Sequence, residues 1–313
     1  MTARAAWRRV GQSLVVLIAA FTLAFVLLHA LPSDAVTARF GSDELGLSDA
    51  ELEEIRRSMG LDRPVVVQFF VTLVGFLTGD WGYSVQTGTQ VTTLLAENLP
   101  ATLALAGLAF VVAVALALGL TLAAALPQAA WLRSAARALP PLVVSVPLFL
   151  IAIVLIQVLS FQLGWVPVIN PEPWQRYLMP TVALSLPIAG PLAQVFIRSV
   201  DEVYREPHVA VTRARGAGRA WLFFRSVARA ALLPAVTMAG LLFGELVGGT
   251  VVVEEVFGID GVGRLTVEAV ANRDTPVLMA VVVIAAFAYI VINLVVDLLY
   301  PLLDARVRRP STL

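Results

Sequence analysis

Six long apolar runs divide the chain, at roughly Val10–Leu31, Pro100–Leu126, Leu139–Ser160, Tyr177–Ile197, Ala230–Val253 and Pro276–Tyr300. A helix that crosses a bilayer needs about 20 mostly apolar residues, so each run predicts a membrane span. Four of the six contain no Asp, Glu, Lys or Arg, and the other two hold one acid each, Glu245 and Asp297. A seventh run, "VVVQFFVTLVGFLT" from Val65 to Thr78, is too short to span and predicts a helix on or near the membrane surface. The first run follows Arg8 and Arg9, as a signal peptide would. Its apolar length exceeds a usual signal core and no clear small-residue cleavage site follows, so it is expected to stay as a span. The pattern predicts an all-α polytopic membrane protein with six transmembrane helices.

The polar stretches between the runs differ in length and chemistry. The longest, roughly Pro32 to Leu99, is an insert after the first span. Within it "LSDAELEEIRRSMGLDRP" has a helix start at Ser48-Asp49 with Glu51 behind it, an apolar face at Leu52, Ile55 and Met59, and Pro64 past its end. "GDWGYSVQTGTQV", Gly79 to Val91, is rich in glycine and aromatics and predicts turns or a short strand. The most unusual stretch is "PHVAVTRARGAGRAWLFFRSVARAALLP", residues 207–234. Pro207 suits the first turn of a helix, and Glu206 complements its positive end. That helix is expected to run to about Arg215 and to stop at Gly216, which tolerates the left-handed conformation. A second, interfacial helix is expected from Gly218, with Phe223, Phe224, Val227, Ala230 and Ala231 on one side. Arg219, Arg225 and Arg229 fall on the other, and Trp221 and Leu222 interrupt that polar face.

Composition fits the pattern and adds orientation. Hydrophobic residues make up 59% of the 313 and charged residues 14%, against about 25% in ordinary globular domains. Mean hydropathy is +0.86. Net charge is zero, so no overall field recruits nucleic acid. With an even number of spans, both termini share one side. That side holds fifteen of the 22 arginines: Arg4, Arg8, Arg9, Arg133, Arg137, those from Arg198 to Arg229, and Arg306, Arg308 and Arg309. The other side holds most of the acids, including "DELGLSDAELEE". Arginine excess marks the cytoplasmic side, so both termini and the 207–234 insert are expected there, in a multi-pass cell-membrane protein.

Little classical catalytic chemistry is available. There is no cysteine and no lysine, and hence no thiolate site and no phosphate loop of the G-x-x-x-x-G-K-[ST] type. His29 and His208 lie far apart in the chain, at an outer span end and in the insert, which gives no metal-ligand set. Glu245 lies within the fifth span. One expectation is a path-lining group that meets a peptide amine or another cationic solute; the other is a protonated acid or one bonded to a neighbouring helix. Asp297 is expected to be a structural acid at a helix interface. Glu254 and Glu255 start an outside loop, as solvated acids or as contacts for a partner or solute.

Several of these stretches resemble one family. "TRARGAGRAWLFFRSVARAALLP" is similar to the cytoplasmic coupling loop of binding-protein-dependent ABC importers, in the version of the dipeptide/oligopeptide/nickel permeases, which commonly show Thr-Ala-Arg-Ala-Lys-Gly. Arg213, Ala214 and Gly216 match, Arg215 replaces the lysine, and Leu233-Pro234 match the finish; Ala210, Val211 and Thr212 depart from the pattern. Gly60–Val91, Glu97–Ala106, Val251–Ala280 and Val291–Arg308 resemble the family's other segments in the right order. The resemblance implies a type I ABC importer permease fold with an extracytoplasmic insert after the first helix. It divides the chain into residues 1–99, a transmembrane helix with the outside segment, and residues 100–313, a five-helix core with a coupling loop at 198–230. The long outside segment fits the first-encoded of the two permease subunits.

The resemblance also implies partners: a second homologous permease subunit, one or two ABC ATPase subunits, an extracytoplasmic substrate-binding protein and the lipid membrane. ATP and magnesium would sit on the ATPases, with no cofactor bound by this chain. Pro207, Thr212, Arg213, Ala214, Arg215, Gly216, Leu233 and Pro234 become ATPase-coupling residues. Asp80, Trp81, Tyr83, Glu254, Glu255, Phe257, Gly261 and Gly263 become candidates for binding-protein docking or the outer gate, and Glu245 for the translocation path. Family substrates are dipeptides, oligopeptides, nickel, glutathione or haem, with di- or oligopeptides expected here. A stand-alone secondary transporter is the competing class, but it needs coupling-ion groups that spans with two acids do not supply. An intramembrane hydrolase would need a catalytic set that no span contains.

Overall fold

The computed structural model describes residues 3–30, 48–58 and 62–303. Its helices, in chain order, are α1 (Ala3–His29), α2 (Asp49–Ser58), α3 (Val65–Thr78), α4 (Val91–Ala125), α5 (Ala130–Val144), α6 (Leu148–Leu155), α7 (Pro173–Tyr204), α8 (Pro207–Ala214), α9 (Arg219–Leu222), α10 (Ala228–Phe257), α11 (Val262–Ala271) and α12 (Thr275–Leu303). α6 continues as a π-helix over Ile156–Gln162, and α9 joins α10 through a π-helix over Phe223–Val227. The named elements are all helices; among the described residues one β-bridge is found, pairing Tyr83 with Gln90.

Among the described residues five helices are long and apolar enough to cross a membrane, and the α5–α6 pair makes a sixth span if counted as one. The expected span over Leu139–Ser160 is bent by 104° between Val144 and Leu148. The sequence there is "LPPLVVSVP", and Pro147 has no N–H with which to continue the ladder across the bend.

The chain divides into two compact units, Met1–Thr102 with Asp260–Ile290, and Leu103–Ile259 with Val291–Leu313. In the first unit α3 lays Phe69, Leu73 and Phe76 along Phe21 and Phe25 of α1. The rings meet edge to face, with Phe21 5.6 Å from Phe69 and 5.4 Å from Phe76, the geometry aromatic quadrupoles favour. The opposite flank of α3 leaves Val66, Phe70, Val74 and Leu77 exposed. The ring of His29 stacks on Phe25 and bridges the Phe25 carbonyl and the Gln68 side chain. α2 starts with the expected capping box: Ser48 N–H and Oγ–H donate to Glu51, and Glu51 N–H donates to Ser48 Oγ. The backbone bond from Ser48, then its hydroxyl bond, hold the Glu51 carboxyl below its ordinary range. The box is intact above the usual carboxylate pKa and is lost as pH falls through the lowered one. Met59 lies outside the described residues.

The second unit is organised by α7. Its first turn is closed by Glu172 and Gln175, and it carries Pro180, Pro187 and Pro191 in its interior. Two glycines let neighbours approach it closely. A Cβ on Gly190 of α7 would lie 2.6 Å from Val144 Cγ2 and 3.2 Å from the Pro140 carbonyl of α5. A Cβ on Gly249 of α10 would lie 2.8 Å from Leu184 Cδ1 of α7. Gly190→Ala should therefore lower stability by about 1–3 kcal/mol, the usual cost of overpacking. Gly11→Ala, where nothing lies within 4 Å, should stay within about 0.5 kcal/mol of wild type. Thermal denaturation of the two variants in detergent measures both.

Candidate functional site

The arginine-rich insert joins the two helices that pack most extensively in the second unit, α7 and α10. α7 ends at Tyr204 and Arg205 caps it. Glu206 is the N-cap of α8 and Pro207 its first residue, as expected. The Glu206 carboxylate meets His208 Nδ1 at 3.0 Å. Thr212 Oγ donates back to the His208 carbonyl. Val209, fully buried, is the pin that seats this short helix, while Arg213, Ala214 and Arg215 are exposed. The Arg213 guanidinium lies 6.0 Å from the centroid of the Tyr204 ring.

α8 ends where the glycine was expected to end it. Gly216 has φ +91°, a conformation that costs energy for any residue with a side chain. Its N–H donates to the Arg213 carbonyl, and Ala217 N–H donates to that of Thr212, so the last carbonyls are satisfied. Gly218 is the N-cap of α9. Arg219 and Arg133 both donate to the Pro127 carbonyl, tying the insert to the α4–α5 turn. Leu233 and Pro234 lie inside α10.

The second half of the insert differs from expectation. It is not a separate interfacial helix; helix runs from Arg219 to Phe257 through the π turn. The wider π turn shifts the helical phase. Leu222, Phe223, Val227 and Ala231 are buried, whereas Phe224 is 63% exposed and Ala230 is exposed. Leu222, expected to spoil the polar face, belongs to the packed face.

An open cleft of about 420 Å³ lies between α5 and α7, lined by Arg137, Gln194, Arg198, Asp201, Glu202 and Arg205 among others. Arg137 makes a two-pronged ion pair with Asp201, and Arg198 pairs with Glu202 one turn on. The Arg137–Asp201 pair joins residues 64 positions apart, and no local pattern marks it.

The remaining candidates scatter. Glu245 lies within α10 but on its exposed side, not inside the bundle as its place in an apolar run implied. The face of α10 that packs is Leu242, Leu246, Thr250 and Val253; Glu245 falls with exposed Leu241, Gly248 and Val252. Among the described residues it has no hydrogen bond or ion pair, although a charge at mid-membrane costs about 3 kcal/mol on insertion scales. Glu254 and Glu255 are in the last turn of α10, not in a loop. Glu254 is 0% exposed and offers no surface for docking, because the packed face of α10 extends through it; Glu255 is exposed. Phe257 packs beside Ile151, Ala152 and Ala183.

In the first unit, Trp81 is also more enclosed than an exposed contact should be. It stacks on Phe76 at 5.1 Å and its indole N–H donates to the Phe76 carbonyl. Asp80 is exposed and accepts from Gly82 N–H, and Tyr83 is 58% exposed. Ser84, missed in the sequence, is buried and donates to Asp274 across 190 residues of chain. Gly261 is the N-cap of α11 and Gly263 is buried in its first turn.

Comparison with known proteins gives a consistent set. Residues 115–309 match the family model of the binding-protein-dependent transport system inner membrane component, and residues 3–106 match the corresponding N-terminal model. The chain is 34% identical over 287 residues to the glutathione transport system permease protein GsiC of Salmonella typhi, covering 91% of this chain and 92% of that one. The GsiC of Escherichia coli (strain K12) matches to the same extent. Among solved structures, a chain of the inward-facing MetNI methionine ABC transporter aligns with TM-score 0.55 at 17% identity, covering 67% of this chain and 96% of that one. A chain of an amino acid ABC transporter solved with histidines aligns with TM-score 0.51 at 19% identity, covering 69% and 94%. These structural likenesses bear on fold alone.

The shifted phase after α9 is directly testable. Phe223→Ala should cost about 3–5 kcal/mol of stability, as truncation of a buried aromatic does. Phe224→Ala should change it by less than about 0.5 kcal/mol. Denaturation midpoints of the two variants decide the phase.

Proposed function

This chain belongs to the binding-protein-dependent transport system inner membrane components, as a permease subunit of an ABC importer, and on that premise we propose that it imports short peptides. ATPase subunits and an extracytoplasmic binding protein are the partners that class of transporter works with. In our proposal the chain forms half of a path shared with a second homologous permease, and one or two ATPase chains supply two nucleotide sites. ATP and magnesium bind there, and this chain performs no chemistry itself. Both termini and the 198–230 loop face the cytoplasm, in keeping with the arginine distribution. Di- and oligopeptides are the substrate class, and the kinship with glutathione permeases makes tripeptides with a free amine the first to assay.

The observation that carries the coupling role is the build of α8. A buried Val209 and a left-handed Gly216 hold a short helix whose outer residues, Arg213 to Arg215, are free of the rest of the fold's core. Such a helix is a rigid knob, suited to a cleft in an ATPase. Its movement would be passed to α7 and α10, because the loop has those two helices as its ends. Outside the membrane, Asp80 and Tyr83 are docking residues of the first unit, with Trp81 holding their turn in place, and Glu255 is a docking residue of the second.

Backbone direction should matter more than any one charge, since a screened surface pair is worth at most about 1 kcal/mol. Gly216→Val should abolish coupled uptake, while Arg215→Ala should lower it less than about fivefold, the equivalent of about 1 kcal/mol. Both variants should insert and assemble. The assay is binding-protein-stimulated ATP hydrolysis with solute uptake in proteoliposomes of the whole complex. Wild-type coupled uptake by Gly216→Val would reduce the loop to a basic membrane anchor.

A further inference from the structure

Glu245 is the only charged residue of α10 between Arg229 and Glu254. At 1.5 Å per residue it lies about 24 Å along the axis from the first and about 14 Å from the second, deep in the apolar run. Its side chain is exposed and flanks the buried stripe of α10 that runs through Leu242, Leu246, Thr250 and Val253. Among the described residues nothing pairs with it, and the next residue up its face is Gly248, where a Cβ would meet no atom within 4 Å. An acid at this depth that pointed into lipid would be solvated by nothing; intramembrane acids face a partner or a water-filled cavity. None of the six apolar runs contains a Lys or Arg, so no other span of this chain brings a basic side chain to this depth.

We infer that Glu245 lines the translocation path as a carboxylate station for the ammonium group of the solute, with Gly248 leaving the room beside it. This inference rests on the importer reading above and adds the chemistry that the path selects: solutes with a free amine. The amine N–H groups donate to the two carboxylate oxygens, and the contact forms and breaks within each transport cycle. Glutamate's apolar neighbours, Leu241 and Val252 one to two turns away, keep the rest of the wall weakly binding, so the solute can leave.

The chain has no cysteine, so Glu245→Cys gives this subunit a single label site. In the complete complex, with its second permease, ATPases and binding protein, a water-soluble trimethylammonium methanethiosulfonate should modify that cysteine in at least one nucleotide state. Mass spectrometry of this subunit reads the modification. Glu245→Gln should lower uptake of glutathione and of trialanine about tenfold or more, with binding-protein-stimulated ATP hydrolysis kept within about twofold of wild type; Glu245→Asp should recover most of the uptake. A cysteine that is unreactive in every nucleotide state places the residue against lipid or a partner helix and overturns the proposal. So does Glu245→Gln with wild-type uptake of both tripeptides. If the wild-type complex itself shows no binding-protein-stimulated hydrolysis, the importer reading fails instead, and the two failures are distinguishable.

Discussion

The close packing of α10 on α7 is the contact on which the rest depends. It is made possible by Gly249, whose missing side chain leaves Leu184 room to approach; Leu242, Leu246 and Val253 are buried on one helix and Ala183, Leu184 and Ile188 on the other. Dispersion between closely fitted side chains drives helix association in lipid, where the hydrophobic effect gives little, and small residues at the contact are the usual means. The arginine-rich insert connects these same two helices. Its ends are therefore fixed by the pair, and its own geometry reduces to a short problem: leave α7, turn, and enter α10. Val209 and Gly216 solve it, one by burial and one by backbone conformation.

That arrangement also sorts the charges. The buried stripe of α10 holds no carboxylate in mid-span, and Glu245 lies exposed beside it. Near the loop, arginines do bonding work within the fold: Arg219 and Arg133 share the Pro127 carbonyl, and Arg137 grips Asp201. Arg213 and Arg215 remain exposed on the knob. A membrane anchor would need only the charge; the left-handed turn and the buried pin belong to an element that must hold one shape.

Much of this was legible in the sequence where the signal is local. Apolar runs located the long helices, Val65–Thr78 had the right bounds, and Pro207 and Gly216 marked the start and stop of α8. The losses share a physical cause: they depend on which neighbour a face meets. Phe224 and Leu222 exchanged sides because a π turn shifts phase, and the sequence shows residues without their turn width. Glu254 and Glu245 lie nine residues apart on one helix, yet one is enclosed and the other exposed. The Arg137–Asp201 and Ser84–Asp274 contacts join distant positions and leave no periodic trace. The bend near Pro147 was written in "LPPLVVSVP", but a proline-containing apolar run reads equally as a kinked span.

The central claim is that the 207–216 helix is the part an ATPase holds. Placing a single cysteine at Arg213 in this cysteine-free chain, and adding a short photoactivatable crosslinker to it in the assembled complex, tests that claim most directly. The account expects a crosslinked band containing this chain and an ATPase subunit, present in the resting complex and changed in yield when ATP and vanadate are added. A crosslinker that captures only lipid, in a complex whose ATPase subunits are bound and active, would contradict it.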